Sequence, residues 1–489
     1  MTYHFGVPVK PQSNNNDLFS ALKNCFCSRR ANVILSVALV IGLLVRTYFL
    51  SQPMRFDEAT TFNIFVKDGW DSVFSYVAPN NHVLHTIFVK ISTSIFGDSP
   101  IAIRLPALTF GLLTIVAVFC AARLLGGDGS FAALVAAAHP YLILYSTNAR
   151  GYTLITFLTL MLVILGYSVA LRPSVLVATA WAFVSALGLL VMPTMLYPCA
   201  GIYLWVIYLG HKNRFALNCF KKYWLRAGVV TIFLTLLFYS PVIYKSGITS
   251  ILNNEYVQSQ SIETFVKALR WHIEGTVRLF FQDVPIPYTI CALIFIAIGA
   301  KDLYEKAAGN RIISLLISCI FSAAAITLAN HKIPFARTWI YLIPLFIIVA
   351  DYGLAFVLQR CNQAISSTLS IILCLGAVWL SITLTQTRAI ERNDDTGIFP
   401  AGPDVGQYLA KKIKSGDSVF IPCCENYPLF YYLWLYHAPP YSYNFQTLTA
   451  DTYYVVPRGK RLEDLTDESP IVVFEANGTK IYYKSRATD

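Results

Sequence analysis

Two adjacent carboxylates, Asp57 and Glu58 in "MRFDEATTF" (54–62), stand just past the first long apolar run of the chain. Adjacent acids can split their protonation states, one ionised and one neutral, which suits acid-base work. They can equally be a solvated turn, because acidic residues usually lie exposed. Other chemistry-bearing residues sit in comparable places. "PNNHVLHT" (79–86) offers Asn81 and His82, an amide and an imidazole able to hold a polyol, with His85 one turn on. "STNARGYT" (146–153) sets Arg150 and Tyr152 at one end of an apolar run, and "NHKIPFAR" (330–337) sets Lys332 and Arg337 at the start of another, Tyr341 lying one turn further in. An arginine presents a rigid two-donor fork that matches a phosphate. Arg278 belongs to the 245–287 stretch with Trp271, His272 and Glu274, which reads either as a lid or as a surface helix. Bland readings accompany each residue. The cations can be interfacial anchors, His85 a histidine beside lipid headgroups, and His139 in "AAAHPYLI" a satisfied imidazole beside a proline kink. Ionisable residues at membrane depth are nonetheless expensive, and by default they mark function.

Something apolar must position these residues. Of 489 residues, 56% are hydrophobic and only 13% charged, with a mean hydropathy of +0.54. Soluble domains carry about twice that charge, so the composition describes a polytopic membrane protein. The net charge of +11 and pI near 9.0 then point to basic loops and anionic headgroups, not to nucleic acid. Apolar runs at 33–50, 101–122, 130–146, 152–171, 175–191, 195–209, 227–244, 288–300, 312–329, 338–357 and 368–386 give about eleven transmembrane helices. The run at 83–97 is shorter and carries His85 and Lys90, so it is expected to be interfacial or re-entrant. Residues 1–31 read as a flexible tail closed by Arg29 and Arg30, with no cleavable signal peptide. The 32–389 segment is the membrane module, and 390–489 changes character. There "GPDVGQYLAKK" reads as a helix, a short strand begins at Val419, "YPLFYYLWLY" is another helix, and "PIVVFEA" and "TKIYYKS" are strands around the turn "NG". This small α/β domain has no phosphate loop or nucleophile elbow and is given no catalytic role. Most of the 11 cysteines are small hydrophobes within spans, and adjacent Cys423 and Cys424 form only strained bridges, so no structural disulfide is expected.

Leaving 83–97 out of the bilayer fixes sidedness. It puts Arg123, Arg172, the group Lys212, Arg214, Lys221, Lys222 and Arg226, the group Lys301, Lys306 and Arg311, and Arg360 on the side of Arg29 and Arg30. Short loops of membrane proteins carry such an excess in the cytoplasm, so the N-terminus is inside. The acidic pair, His82, Arg150, the 245–287 loop, "NHKIPFAR" and the tail then all face out.

"FDEATT", then "NNHVLHTIFVKISTSIFGDSPIAIRLPALTFGLL", then a small-residue span ending "HPYLILYSTNARGYTL" resemble the GT-C glycosyltransferases of the protein O-mannosyltransferase and aminoarabinose-transferase type. The similarity covers roughly residues 33–200, and the layout of spans extends it to 390. The resemblance implies juxtamembrane helices in the first outer loop, a polyprenyl-phosphate sugar as donor, and Asp57 and Glu58 working at the acceptor. It implies a bacterial-type inner (plasma) membrane, since the extra lumenal domain of eukaryotic protein mannosyltransferases is lacking.

On that chemistry Asp57 takes the acceptor proton, with Glu58 orienting Asp57 or the acceptor, on the face opposite the leaving phosphate, which inverts the anomeric centre. Arg337 and Lys332, then Arg278 and Arg150, neutralise the phosphate. The partners are the donor lipid, the bilayer and a glycan, lipid or protein acceptor, with no nucleic acid. No cofactor is expected. Lacking HExxH, paired CxxC or DxD, the sequence gives a divalent cation little support. Two rivals remain, a transporter or flippase of lipid-linked sugars and a non-catalytic GT-C-like subunit. Against the first, no inverted repeat is visible and the key charges lie at the ends of spans, not within them.

Overall fold

The structure, a computed structural model, describes residues 18–212, 217–253, 256–305, 310–443, 450–467 and 469–485. Arg214, Lys306 and most of the expected tail lie outside them. Within that tail, Leu18–Cys25 is a helix, and Arg29 and Arg30 open the first span, Arg29–Phe49. Ser28 caps this span by accepting the Ala31 N–H at 3.3 Å.

Every run expected to span falls on a helix. Among the described residues, seven helices are long and apolar enough to cross a bilayer: Arg29–Phe49, Pro100–Leu125, Tyr152–Leu171, Lys221–Ser246, Arg311–Asn330, Ala336–Leu358 and Gln363–Thr387. Ile262–Phe281 and Ile286–Asp302, bent by 108°, make an eighth if they form one span. The other expected spans are shorter or interrupted. Val175–Val191 and Leu196–Lys212 have 17 residues each, about 25 Å of helix against a hydrocarbon core of about 30 Å. The 130–146 run is broken at Pro140 into Ser130–Ala138 and Pro140–Ser146.

That break has a partner. Pro140 has no N–H to give back to the preceding turn. The first span supplies Arg46, whose Nη2 donates to the Ala136 carbonyl at 3.1 Å and Nη1 to that of Ala137 at 2.7 Å. His139 stands at the kink as expected, but its Nδ1 is buried without a hydrogen-bond partner. Apolar side chains line the outside of the bundle as well as its core. Leu44, Phe233, Leu236, Ile317 and Leu375 are exposed while Trp181, Trp205 and Ile340 are buried. Helices apolar on every face need lipid around them, so the chain is an integral membrane protein.

Four short helical pieces follow the first span: Phe56–Thr61, a π-helical turn at Phe62–Val66, Trp70–Val73 and Val83–Phe96. At 14 residues, Val83–Phe96 rises about 21 Å and cannot cross a bilayer. Its Lys90 Nζ donates to the Val66 carbonyl at 2.6 Å, tying it to the piece before it.

The C-terminal segment forms a five-stranded sheet in the order β2-β1-β3-β5-β4. Its strands are β1 (Ser418–Phe420), β2 (Ser442–Tyr443), β3 (Thr452–Val456), β4 (Ile471–Ala476) and β5 (Thr479–Lys484). β1 runs parallel to β2 and β3, and β5 antiparallel to β3 and β4. Asn477 and Gly478 (φ +49° and +79°) make the two-residue turn that a tight hairpin requires. Helices Gly402–Lys412 and Asn426–Leu435 close over the sheet through Val405, Leu409, Leu429 and Leu433. The second of them also reaches the first loop. The Tyr432 hydroxyl accepts the Met54 N–H at 2.9 Å, and Asn63 donates to the Tyr427 carbonyl at 3.1 Å.

Candidate active site

Two buried arginines build the loop that carries the acidic pair. Arg104, from Pro100–Leu125, donates through Nη1 to the carbonyls of Leu50 and Gln52, at 2.6 Å each, and through Nη2 to Pro53 at 3.0 Å. Arg55 reaches the other way, to the segment after the last span. Its Nη1 donates to the Asn393 carbonyl at 2.6 Å and its Nη2 to that of Ile390. The Asp57 N–H donates to the Thr396 carbonyl at 3.2 Å and the Phe56 N–H to that of Gly397 at 3.3 Å. The loop is thus held between an early span and a late strap, 390–397.

The two acids have different surroundings. Glu58 is fully buried. It accepts from Arg104 through both carboxylate oxygens, from the Ala149 N–H at 2.9 Å and from the Arg55 N–H at 3.0 Å, the last closing the first turn of its own helix. Every bond it makes is structural. Asp57 is 8% exposed. Its Oδ2 lies 3.2 Å from Arg337 Nη2 yet has no aligned hydrogen bond.

Arg337 is carried on the 3-10 turn Ala336–Tyr341 that opens a late span. Its Nε donates to the Tyr152 hydroxyl at 3.0 Å and its Nη1 to the Asp395 carbonyl at 2.7 Å, with Asp395 Oδ1 3.7 Å away. The other carboxylate oxygen of Asp395 accepts the hydroxyls of Tyr145 at 2.5 Å and Tyr141 at 2.9 Å. Arg337 therefore stands between two carboxylates from opposite ends of the chain.

Arg150 is buried beside them. Its Nη1 donates to Thr61 Oγ1 at 2.7 Å and to the Asn80 carbonyl at 2.9 Å, while its Nη2 meets His82 Nε2 at 3.2 Å. His82 Nδ1 accepts the Gly151 N–H at 2.8 Å. Burial first, then Arg150, His85 and Arg337, hold His82 well below the usual imidazole range, so it is neutral, one ring nitrogen accepting and the other carrying the proton. His85 is buried with neither ring nitrogen bonded, and burial with Arg150 pushes it down to about 3. It is an interior residue, not the headgroup histidine of the bland reading.

The sequence-predicted residues thus divide. Asp57, Glu58, His82, Arg150, Tyr152 and Arg337 come together. Asn81 is adjacent, but its amide donates to the Val73 and Ser75 carbonyls at 2.8 and 2.7 Å and accepts Thr86 Oγ1 at 2.7 Å. It staples its own loop and has no donor left for a sugar. Tyr341 is buried with an unbonded hydroxyl, and its ring lies 6.4 Å from that of Trp339, apart from the acidic pair. Among the described residues no hydrogen bond or ion pair joins Arg278, exposed on Ile262–Phe281, or half-buried Lys332 to the cluster. That helix packs beside it instead, where His272 Nε2 accepts Trp339 Nε1 at 2.6 Å.

Sequence reasoning missed Arg104, Arg55, Asp395, Tyr145 and Tyr141. Arg104 lay inside "RLPA", noted only as part of a pattern. The signal for Asp395 was an acidic doublet, "NDDTG", immediately after the last span. Among the described residues no group of three or more His, Cys, Asp or Glu side chains converges as a metal site would.

No protein-family profile matches the sequence, and a search of curated proteins finds no match. Solved structures do match. ArnT from Cupriavidus metallidurans in the apo state is similar at a TM-score of 0.61 and 14% identity, over 92% of this chain and 97% of that one. The same protein bound to undecaprenyl phosphate is similar at 0.56 and 13%, with the same coverage. At these identities the likeness, which takes in 92% of this chain and 97% of that one, shows that the two share a fold.

Proposed function

We propose that this chain is a membrane glycosyltransferase that moves a sugar from a polyprenyl-phosphate donor to an acceptor hydroxyl at the outer membrane face, inverting the anomeric centre. The observation that carries the reading is the Asp57 carboxylate, nine-tenths buried, with an unbonded oxygen set against the Arg337 guanidinium. Such transfer passes through an oxocarbenium-like state in which the acceptor loses a proton while charge grows on the departing phosphate. Asp57 is the base. Arg337, and behind it Arg150, meet the phosphate, already a good leaving group, so fixed cations replace a general acid. Glu58 and Arg104 hold the loop, which favours Glu58 orienting Asp57 over Glu58 orienting the acceptor. The likeness to a transferase solved with undecaprenyl phosphate supports a donor of that class. The proposed step is carried by side chains alone, on an extracytoplasmic site with the N-terminus inside.

The test is release of free polyprenyl phosphate by proteoliposomes supplied with polyprenyl-phosphate sugars. A positioned base contributes about 10²–10⁴-fold, and Asp57→Asn should lose that much while staying folded. Arg337→Ala should chiefly raise the donor KM. Equal turnover in Asp57→Asn, or none by the wild type with any donor, would sink the proposal.

A further inference from the structure

The three nitrogens of Arg337 are not equally held. Nε donates to a tyrosine hydroxyl and Nη1 to a backbone carbonyl, both as normal hydrogen bonds. Nη2 faces Asp57 Oδ2 at 3.2 Å, but that oxygen has no aligned hydrogen bond. The two good anchors are Tyr152 and the Asp395 backbone. The poor one is the carboxylate assigned to the chemistry.

The Asp395 side is also the rigid side. Tyr141 and Tyr145 fix one carboxylate oxygen and leave Oδ1 turned toward Arg337. The Asp395 N–H donates to Asn393 Oδ1 at 3.1 Å, and the Asn393 carbonyl is itself held by buried Arg55. On the Asp57 side, the Asp57 carbonyl rather than its carboxylate takes the nearby donors, Thr61 Oγ1 at 3.0 Å and Asn80 Nδ2 at 3.1 Å. The backbone of Asp57 is fixed while its charged end is loosely paired.

We infer that Asp395 is a positioning residue, which retains Arg337 at the site while the guanidinium exchanges Asp57 for the phosphate of the donor. The inference rests on the donor class proposed above. The Nη2 N–H that faces Asp57 cannot lie in line with a carboxylate and a phosphate at once. While Oδ2 of Asp57 faces the guanidinium, that oxygen is shielded from an acceptor hydroxyl. Donor binding therefore frees the base, and the acceptor meets a competent Asp57 only after the lipid has docked. Without the Asp395 charge, the nearest remaining carboxylate for Arg337 is Asp57, and the guanidinium closes onto it.

The experiment is a double-mutant cycle on the full-length chain in proteoliposomes, reading equilibrium binding of radiolabelled undecaprenyl phosphate. Asp57→Asn removes the competitor and should tighten binding. Asp395→Asn should weaken it by roughly 10-fold in the wild-type background and hardly at all in the Asp57→Asn background, a non-additivity in the range of contacting residues. Simple removal of a negative charge near a phosphate predicts the opposite sign, so the direction separates positioning from bulk electrostatics. Asp395→Glu should recover most of the affinity. Tyr145→Phe, which removes the 2.5 Å bond that orients Asp395, should weaken binding in the same background-dependent way, and it decides the matter if Asp395→Asn does not fold. Tighter binding by Asp395→Asn, or equal weakening in both backgrounds, would overturn the assignment alone. A folded wild type that binds no lipid phosphate would overturn the donor reading beneath it.

Discussion

Replacing Glu58 by glutamine should undo the first loop, whereas replacing its neighbour Asp57 by asparagine should leave the protein standing and stop its chemistry. Glu58 and Arg104 are both fully buried, and the carboxylate meets four N–H donors, two from Arg104 and one each from the backbones of Ala149 and Arg55. Glutamine keeps the volume but removes the charge, and turns an NH2 group toward at least one of those donors. Removing one partner of a buried pair costs about 3–5 kcal/mol, because the other charge is left uncompensated. Asp57→Asn loses one ion pair, and Arg337 keeps Asp395 beside it. That pair has no aligned hydrogen bond, so its loss should cost less than the about 1.5–3 kcal/mol of a hydrogen bond to a charged group. Thermal unfolding of the purified protein in detergent, read beside turnover in proteoliposomes, gives both numbers. A Glu58→Gln protein as stable as the wild type but inactive would refute the division, since Glu58 would then act on substrate. So would an Asp57→Asn protein destabilised as far as Glu58→Gln. A double change, Glu58→Leu with Arg104→Met, should recover part of the loss, because an apolar pair of similar volume carries no unpaired charge. The recovery stays partial, as Arg104 also holds the Leu50, Gln52 and Pro53 carbonyls.

Other perturbations follow from single sites. His85 binds a proton near its ordinary value when unfolded but only near 3 when folded, so between those values the unfolded state holds more protons and stability falls with falling pH. From pH 7 to pH 5 this amounts to about 2 kcal/mol, and His82 adds a slope of the same sign. His85→Phe should flatten the dependence of the unfolding temperature on pH, and an unchanged slope would contradict the burial argument. A Cβ on Gly353 would lie 1.9 Å from the Phe295 carbonyl oxygen, where helices Ile286–Glu305 and Leu342–Leu358 touch. Backbone cannot step aside, so Gly353→Ala should cost about 1–3 kcal/mol in unfolding measurements. Gly397 has φ +71°, and a Cβ there would meet Phe56 Cβ at 2.7 Å. Gly397→Ala should cost about 1–2 kcal/mol in backbone strain and, by displacing the strap that holds Asp57, lower turnover as well; wild-type turnover would show that the strap does not position the acid.

The sequence made the acidic pair and Arg337 visible by type and place, two carboxylates beside an apolar run and a guanidinium opening a span. A solvated turn and an interfacial anchor nonetheless account for the same residues taken singly. How the pair divides its work was not visible. It depends on Arg104 turning its side chain toward the loop and on Arg55 reaching the strap, and one-dimensional patterning says nothing about which long side chain fills which gap. Asn81 failed for a related reason. An amide in a polar loop looks free until two carbonyls of that loop claim it. Hydropathy located each apolar run and Pro140 marked a kink, but neither showed the 108° bend that joins an amphipathic helix to a span. The closing hairpin was legible because Asn-Gly is local chemistry.

Charge shows the same limit most clearly. The net +11 of the chain read as basic cytoplasmic loops, which describes the surface. The interior holds a second surplus that no sum over the sequence reveals. Around the site stand four guanidiniums, Arg55, Arg104, Arg150 and Arg337, against three carboxylates, Asp57, Glu58 and Asp395. Buried charges are ordinarily paired. Glu58 takes Arg104, Asp57 and Asp395 share Arg337, and Arg55 rests on carbonyls of the strap. Arg150 has carbonyls, a hydroxyl and a neutral imidazole, and its Nε has no partner. A neutral His82 is part of that design, since a protonated ring would set two cations 3.2 Å apart. An anion arriving at Arg337 therefore enters a site whose field already favours it, and the carboxylate it displaces is the one group there that gains a task by being released.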